Sequence, residues 1–262
     1  MSASNTLAPE LTNPSWVNAD PPLRLAEVLL GPAGRGRVVP FGAANERPHT
    51  PSVAAESSQV FREDFRGRWK ERWMERALTS RRTRYEVVQE EGRPILRATS
   101  NKAASLLWSN LGIRTGGKGQ ISWRWRVQTS ISQNQHERAK RGDDYAARLF
   151  VVFDSTLFDP RAQAICYVWA AREVVGAVYR SPYAAGVAMI VVESGDQRAN
   201  QWAAEERDFV ADYRTVFGMT PKTVSAVAIM VDTDNTGSSA TAWFADIALA
   251  SSDSFPGRDT VP

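Results

Sequence analysis

The chain has 262 residues, 43% hydrophobic, 10% aromatic and 23% charged, with a net charge of +3. That is the composition of a globular domain, and no apolar run approaches the ~20 residues of a membrane-spanning helix. Cys166 is the single cysteine and His49 and His136 are the only histidines. This excludes an intramolecular disulfide and a multi-histidine metal site. With both rings in polar surroundings, it also argues against a serine–histidine triad.

Residues 1–58 open with "MSASNTLAPELTNPSW", which has neither a basic start nor an apolar stretch of roughly 7–15 residues and does not read as a signal peptide. "NPSW", "ADPPL", "GPAGRGR" and "ERPHTPS" are successive loop signals. The segment is expected to be an irregular extension, with a short helix at Leu23–Leu30 and with Trp16 and Phe41 as anchors. Residues 62–84 then carry nine basic and four acidic side chains, with Trp69 and Trp73 between them. Interleaved charge and aromatics have a nucleic-acid reading. The whole chain, however, has 27 arginines to five lysines, so the cluster reflects a general arginine skew and nucleic acid is not the expected partner.

From Val60 the pattern becomes short β-like runs between polar turns. "RYEVVQEEGRPILRATS" reads as two strands about Glu90-Glu91-Gly92. In "GQISWRWRVQ", Ile121, Trp123, Trp125 and Val127 share one face while Ser122, Arg124, Arg126 and Gln128 share the other. "YAARLFVVFD", "QAICYVWAA", "GVAMIVVES", "TVSAVAIMVD" and "ATAWFADIAL" are strands apolar on both faces, which suits the centre of a two-layer sandwich. "WAAEERDFVADYRTVFG" is the main helix, with Phe209, Tyr213, Val216 and Phe217 at three-to-four spacing and Gly218 ending it. Strands without intervening helices exclude a parallel α/β sheet. The expected fold is all-β and mainly antiparallel, a jelly-roll-like sandwich over residues 59–252 with one or two short helices, the long N-terminal extension and a tail at 253–262.

"ISWRWRV", "RGDDYAARLFVVFD", "AICYVWA", "VVESG…W…ERDFVADYRTVFG" and "IMVDTDNTGSSATAWFADI", in that order, resemble an uncharacterised bacterial family, domain of unknown function 3047, over about residues 60–250. The resemblance implies a jelly-roll sandwich of the carbohydrate-binding type and a bacterial envelope or periplasmic location, and it implies no activity. Carbohydrate-binding jelly rolls often hold a structural Ca²⁺ between the first and last strands. Here Glu63 or Asp64 and Asp246 are similar to those positions. Asp246 interrupts an apolar strand and needs a partner, an arginine before a metal.

Two constellations carry candidate chemistry. In "DTDNTG", Asp232, Asp234 and Asn235 place oxygen ligands at turn positions that suit a hard cation such as Ca²⁺. The same residues also make a tight turn between the last two strands. In "KRGDDYAARLFVVFD", Arg148 projects from a strand face shared with Phe150 and Val152, so it demands a carboxylate from Asp143, Asp144 or Asp232. With Tyr145 these residues read either as an ion pair at a strand entrance or as a glycan-binding cluster. The stacking surface for a sugar would come from Trp169, Tyr167, Trp123 or Trp125. Three functions stay open: a non-catalytic binding module whose ligand is a glycan, an assembly subunit that binds a partner protein through residues 1–58, and a carbohydrate-active hydrolase or lyase using Asp144 and Asp232. No cofactor is expected, with a structural calcium as the one alternative.

Overall fold

Period-two patterning folds residues 59–252 into two packed sheets. The computed structural model describes residues 23–24, 59–156 and 158–252. Trp16, Phe41, the rest of the extension and the 253–262 tail lie outside the described residues. Edge to edge, the eight-stranded sheet runs β1 (Leu23–Arg24), β10 (Ala177–Arg180), β11 (Val187–Ser194), β9 (Gln163–Ala170), β8 (Ala147–Phe153), β13 (Thr223–Met230), β6 (Ser105–Arg114) and β3 (Met74–Ala77). The six-stranded sheet runs β12 (Ala203–Asp208), β7 (Lys118–Val127), β14 (Ser239–Ser252), β5 (Arg93–Asn101) and β4 (Arg84–Glu90), with β2 (Gln59–Glu63) also paired to β14. Neighbours are antiparallel except β9 and β11, which run parallel. The fold is an antiparallel β-sandwich of the jelly-roll kind. Leu23–Arg24, expected to begin a helix, instead pairs with Val178 and Ala177 at the sheet edge.

The inner faces interlock through aromatic side chains. Trp123 meets Trp125 edge-on at 5.4 Å and Tyr167 at 5.1 Å, and Trp125 meets Trp169 at 5.9 Å. Ile121, Trp125 and Val127 are 0% exposed, so the alternation of β7 points its apolar side inward. Each large side chain buried this way contributes about 1.5–3 kcal/mol.

The helix α1 (Phe209–Phe217) is shorter than the sequence implies. Residues 203–208 form β12 beside β7, although Ala and Glu favour helices. Pairing to a buried neighbour strand overrides that preference. Asp208 ends the strand and caps the helix, accepting from Val210 N at 3.0 Å and Ala211 N at 2.8 Å. Gly218, in the left-handed region at φ 71°, closes it.

The segment "DTDNTG" is not a hairpin turn. β13 and β14 belong to different sheets, and residues 231–238 carry the chain from one to the other. Thr233 pins the crossing. Its N–H donates to Ala103 O at 3.0 Å, and its hydroxyl lies 2.8 Å from Ser100 Oγ.

Candidate functional site

The crossover brings seven of the predicted residues together. Arg148 on β8 is 4% exposed and stands in register between Met230 and Val168. It donates to Asp232 Oδ1 from Nε at 2.9 Å and to Oδ2 from Nη2 at 2.6 Å. Asp143 Oδ1 lies 3.5 Å from the same Nη2, and the guanidinium stacks 4.4 Å from the centre of the Tyr145 ring. Tyr145 N–H also donates to Asp232, at 3.2 Å. Asp144 faces the tip of the crossover. It accepts from Asn235 N and Nδ2 at 3.2 and 3.1 Å, and from Thr236 N and Oγ1 at 2.6 Å each. Asp234 is half-buried beside them, and one oxygen each of Asp144, Asp232 and Asp234 lies within 4.8 Å of the others.

The approach to this cluster is rigid. Gly142 precedes Asp143, and a Cβ there would stand 2.5 Å from Asn134 Oδ1 and from His136 O. Asn134 in turn donates to Gly142 O at 2.7 Å and to Asp144 O at 3.2 Å. Burial pushes the Asp143 carboxyl up to about 6, with Arg148 opposing and Asp144 reinforcing the shift. Burial likewise raises Asp232 against the pull of Arg148, and raises Asp234 beside Asp144.

Other predicted residues lie elsewhere. Trp169 is 0% exposed and turns to the core, donating to Gly195 O at 3.0 Å, so it offers no surface to a ligand. Tyr167, Trp123 and Trp125 are in the same core. Asp246 sits at a bulge of β14 with φ 51° and pairs with Arg124, Nε to Oδ2 at 2.7 Å. The first and last strands do pair there, Glu63 against Ile247. Glu63, however, is taken by Arg72, by Trp73 Nε1 at 2.8 Å and by Phe65 N–H, while Asp64 faces Arg66. The two carboxylates are thus each satisfied by protein, and Asp246 is not part of the crossover cluster. Trp69 and Trp73, expected among surface arginines, are buried at 7% and 5% exposure and present no stacking platform for bases.

A groove of about 750 Å³ lies at the other end of β13, where the sequence singled out no residues. A register shift between Val224 and Ala226 turns Ser225 into it. Asn110, Thr156, Gln163 and Lys222 line it with polar groups. Asp154 at φ 53° braces it by accepting from Lys222 N at 3.0 Å and Thr223 N at 2.7 Å. Two residues along β6 from Asn110, on the same face, Trp108 meets the 44%-exposed Phe158 at 5.2 Å. Arg76 lies 4.5 Å from the Phe158 ring centre.

Glu205 gives the domain a pH dependence. It accepts from Trp125 Nε1 at 3.2 Å, and burial together with the nearby Glu193 carboxylate pushes it up to about 7. The folded state therefore holds this proton more tightly than the unfolded chain. The associated stability is complete below the ordinary Glu range and is lost as pH rises through about 7. Glu205→Gln should leave the melting temperature nearly unchanged at pH 5 and raise it at pH 8. Allowing for its partial exposure, the gain is about 1 kcal/mol, or ~2–4 °C. Thermal melts across that range check this, and a difference that does not grow with pH would contradict it.

In comparisons with solved structures, the chain is similar to a family 11 carbohydrate-binding module from Clostridium thermocellum in complex with a β-1,3-1,4-mixed-linked tetrasaccharide. The two share 11% identity over 76% of this chain and 98% of that one, with a TM-score of 0.41. It is also similar to the cellulose-induced protein Cip1, at 13% identity over 73% and 97% with a TM-score of 0.46. A third likeness is to the K3 adhesin domain of Lys-gingipain from Porphyromonas gingivalis, at 14% over 74% and 100% with a TM-score of 0.41. Likenesses this distant say nothing about a ligand. No curated protein matches the chain in sequence. The model of one family, described as a protein of unknown function (DUF3047), matches residues 69–248, and the chain belongs to that family.

Proposed function

We propose that the sandwich is a non-catalytic glycan-binding module with the groove beside β6 and β13 as its ligand site. The observation that carries this reading is a polar groove that includes Asn110, on the same face of β6 as Trp108, whose ring partner Phe158 is exposed. Sugars present hydroxyls that need donors and acceptors, and C–H faces that pack on aromatic rings. Among the described residues, the side chains of Asn110, Thr156 and Lys222 make no hydrogen bond within the protein, so they are free for a ligand. The groove's size falls in the range that holds a small ligand.

Binding is favoured over hydrolysis by the carboxylates. Glycosidases use two, flanking the bond to be cut. Asp154 is the only carboxylate lining this groove, and it is engaged by two backbone N–H groups. The buried Asp143–Asp144–Asp232 cluster is at the opposite end of β13, its oxygens largely taken by Arg148, Asn235 and Thr236.

The test is a titration of the full chain against a panel of β- and α-linked oligosaccharides, followed by Trp fluorescence and calorimetry. One class should bind with a spectral change at Trp108. Phe158→Ala and Asn110→Ala should each weaken it about tenfold, ~1.4 kcal/mol, without lowering the melting temperature. Absence of any binding sugar, or full affinity in both variants, would overturn the assignment.

A further inference from the structure

We infer that the groove beside β6 and β13 takes an acidic oligosaccharide, one whose sugar units carry a carboxylate or a sulfate. This rests on the groove being the glycan site and adds the charge of the glycan. Lys222 lines the groove, and its side chain has no ion-pair or hydrogen-bond partner among the described residues. The one carboxylate of the lining does not neutralise it. Asp154 Oδ1 accepts from the backbone N–H groups of Lys222 and Thr223 at 3.0 and 2.7 Å, and Oδ2 accepts from Lys222 N at 3.2 Å. The main chain of Lys222 holds the carboxylate, and the ammonium is left without a counter-charge.

Two arginines extend the positive sign. Arg114 stands opposite Thr223 in the β6–β13 register, and the next pair, Ile113 with Val224, is buried in the core. Paired residues of antiparallel strands share a face, and successive pairs alternate. Arg114 therefore lies on the groove side with Thr223. It is exposed and has no carboxylate partner among the described residues. Arg214, in the last turn of α1, donates from Nε to Oγ1 of Thr220, a lining residue, at 3.0 Å and is likewise without an acidic partner there. Asp159, in the loop after β8, is paired with Arg161.

The neutral groups have the same bias. The Tyr213 hydroxyl donates to Gln163 Oε1, which leaves the Gln163 amide nitrogen to donate to a ligand. A groove rich in donors and poor in free acceptors suits an anion better than a set of hydroxyls, each of which brings a donor of its own. Coulomb attraction at an exposed ammonium is weak across water. The selectivity therefore comes mainly from a charge-assisted hydrogen bond between Lys222 Nζ and the anionic group.

The experiment titrates the full chain by calorimetry with three oligosaccharides of equal length: an oligouronate, its carboxyl-reduced neutral counterpart and a sulfated chain. At least one acidic ligand should bind about tenfold tighter than the neutral one, and comparing the two identifies the anionic group. Its affinity should fall as NaCl is raised from about 50 to 300 mM. Lys222→Gln should weaken it about tenfold without lowering the melting temperature. Arg82→Gln removes an equal charge beside the crossover, next to the Thr83 that bonds Val231 O, and should leave the affinity unchanged. Acidic ligands that bind no better than the neutral one, or that Lys222→Gln holds as tightly as the parent, would overturn the inference. Binding of the neutral chain would then keep the groove as a glycan site, whereas no binding by any of the three would remove both.

Discussion

Arg148→Met should lower the melting temperature by about 6–20 °C, the loss of roughly 3–5 kcal/mol expected when one partner of a buried ion pair is removed. The size of the effect comes from what stays behind. Asp232 is 1% exposed and receives two of its hydrogen bonds from Arg148. Asp143 presents its unbonded oxygen to the same guanidinium. Methionine fills much of the volume, so the cost is electrostatic rather than a cavity. Adding Asp232→Leu removes the stranded charge, and the double variant should recover a large part of the loss. Chemical denaturation of the four proteins of that cycle measures it. An Arg148→Met melting temperature within 2 °C of the parent would mean that this pair does not hold the crossover.

The architecture was legible where a strand has one wet face. In β7, arginine alternates with tryptophan, and the pattern alone separates the core side from the outer side. Arg148 was legible for a related reason: a charge among Phe150 and Val152 implies a buried partner, and the structure places Asp232 there. Strands apolar on both sides carry no such marker. In "QAICYVWA" nothing local says that Tyr167 and Trp169 face the core between the sheets while Cys166 and Val168 are buried in a second cluster with Tyr145 and Tyr179 on the other side, so the pattern leaves Trp169 among the ligand candidates. Sheet membership is also absent from local pattern. Two apolar runs around "DTDNTG" look like a hairpin, and only the pairing of β13 with β6 and β8, and of β14 with β5 and β7, shows a crossover. The groove could not be read at all. It is made by a strand irregularity, a helix terminus and loop residues from four separate segments, none with a motif of its own.

Gly119→Ala should destabilise the domain by about 3 kcal/mol, at the upper end for inserting one methyl group into a packed core. β12 ends with Asp208 paired to Gln120, and the chain turns at once into α1, laying Phe209 across the neighbouring position on β7. A Cβ on Gly119 would stand 2.7 Å from both Cε1 and Cε2 of that ring and nearer still to Cζ. The ring has little room to retreat, since Phe209 is 0% exposed and packs 5.9 Å from Phe153. The glycine is therefore required by close approach, and its effect is tied to one neighbour. Phe209→Leu alone should cost about 1–1.5 kcal/mol. In combination with Gly119→Ala the two losses should fall short of additivity by about 1 kcal/mol or more, because the smaller side chain vacates the space the methyl needs. Urea unfolding of the four proteins gives the coupling, and strictly additive losses would show that the strain at Gly119 is relieved by the backbone of β7 instead of by the ring.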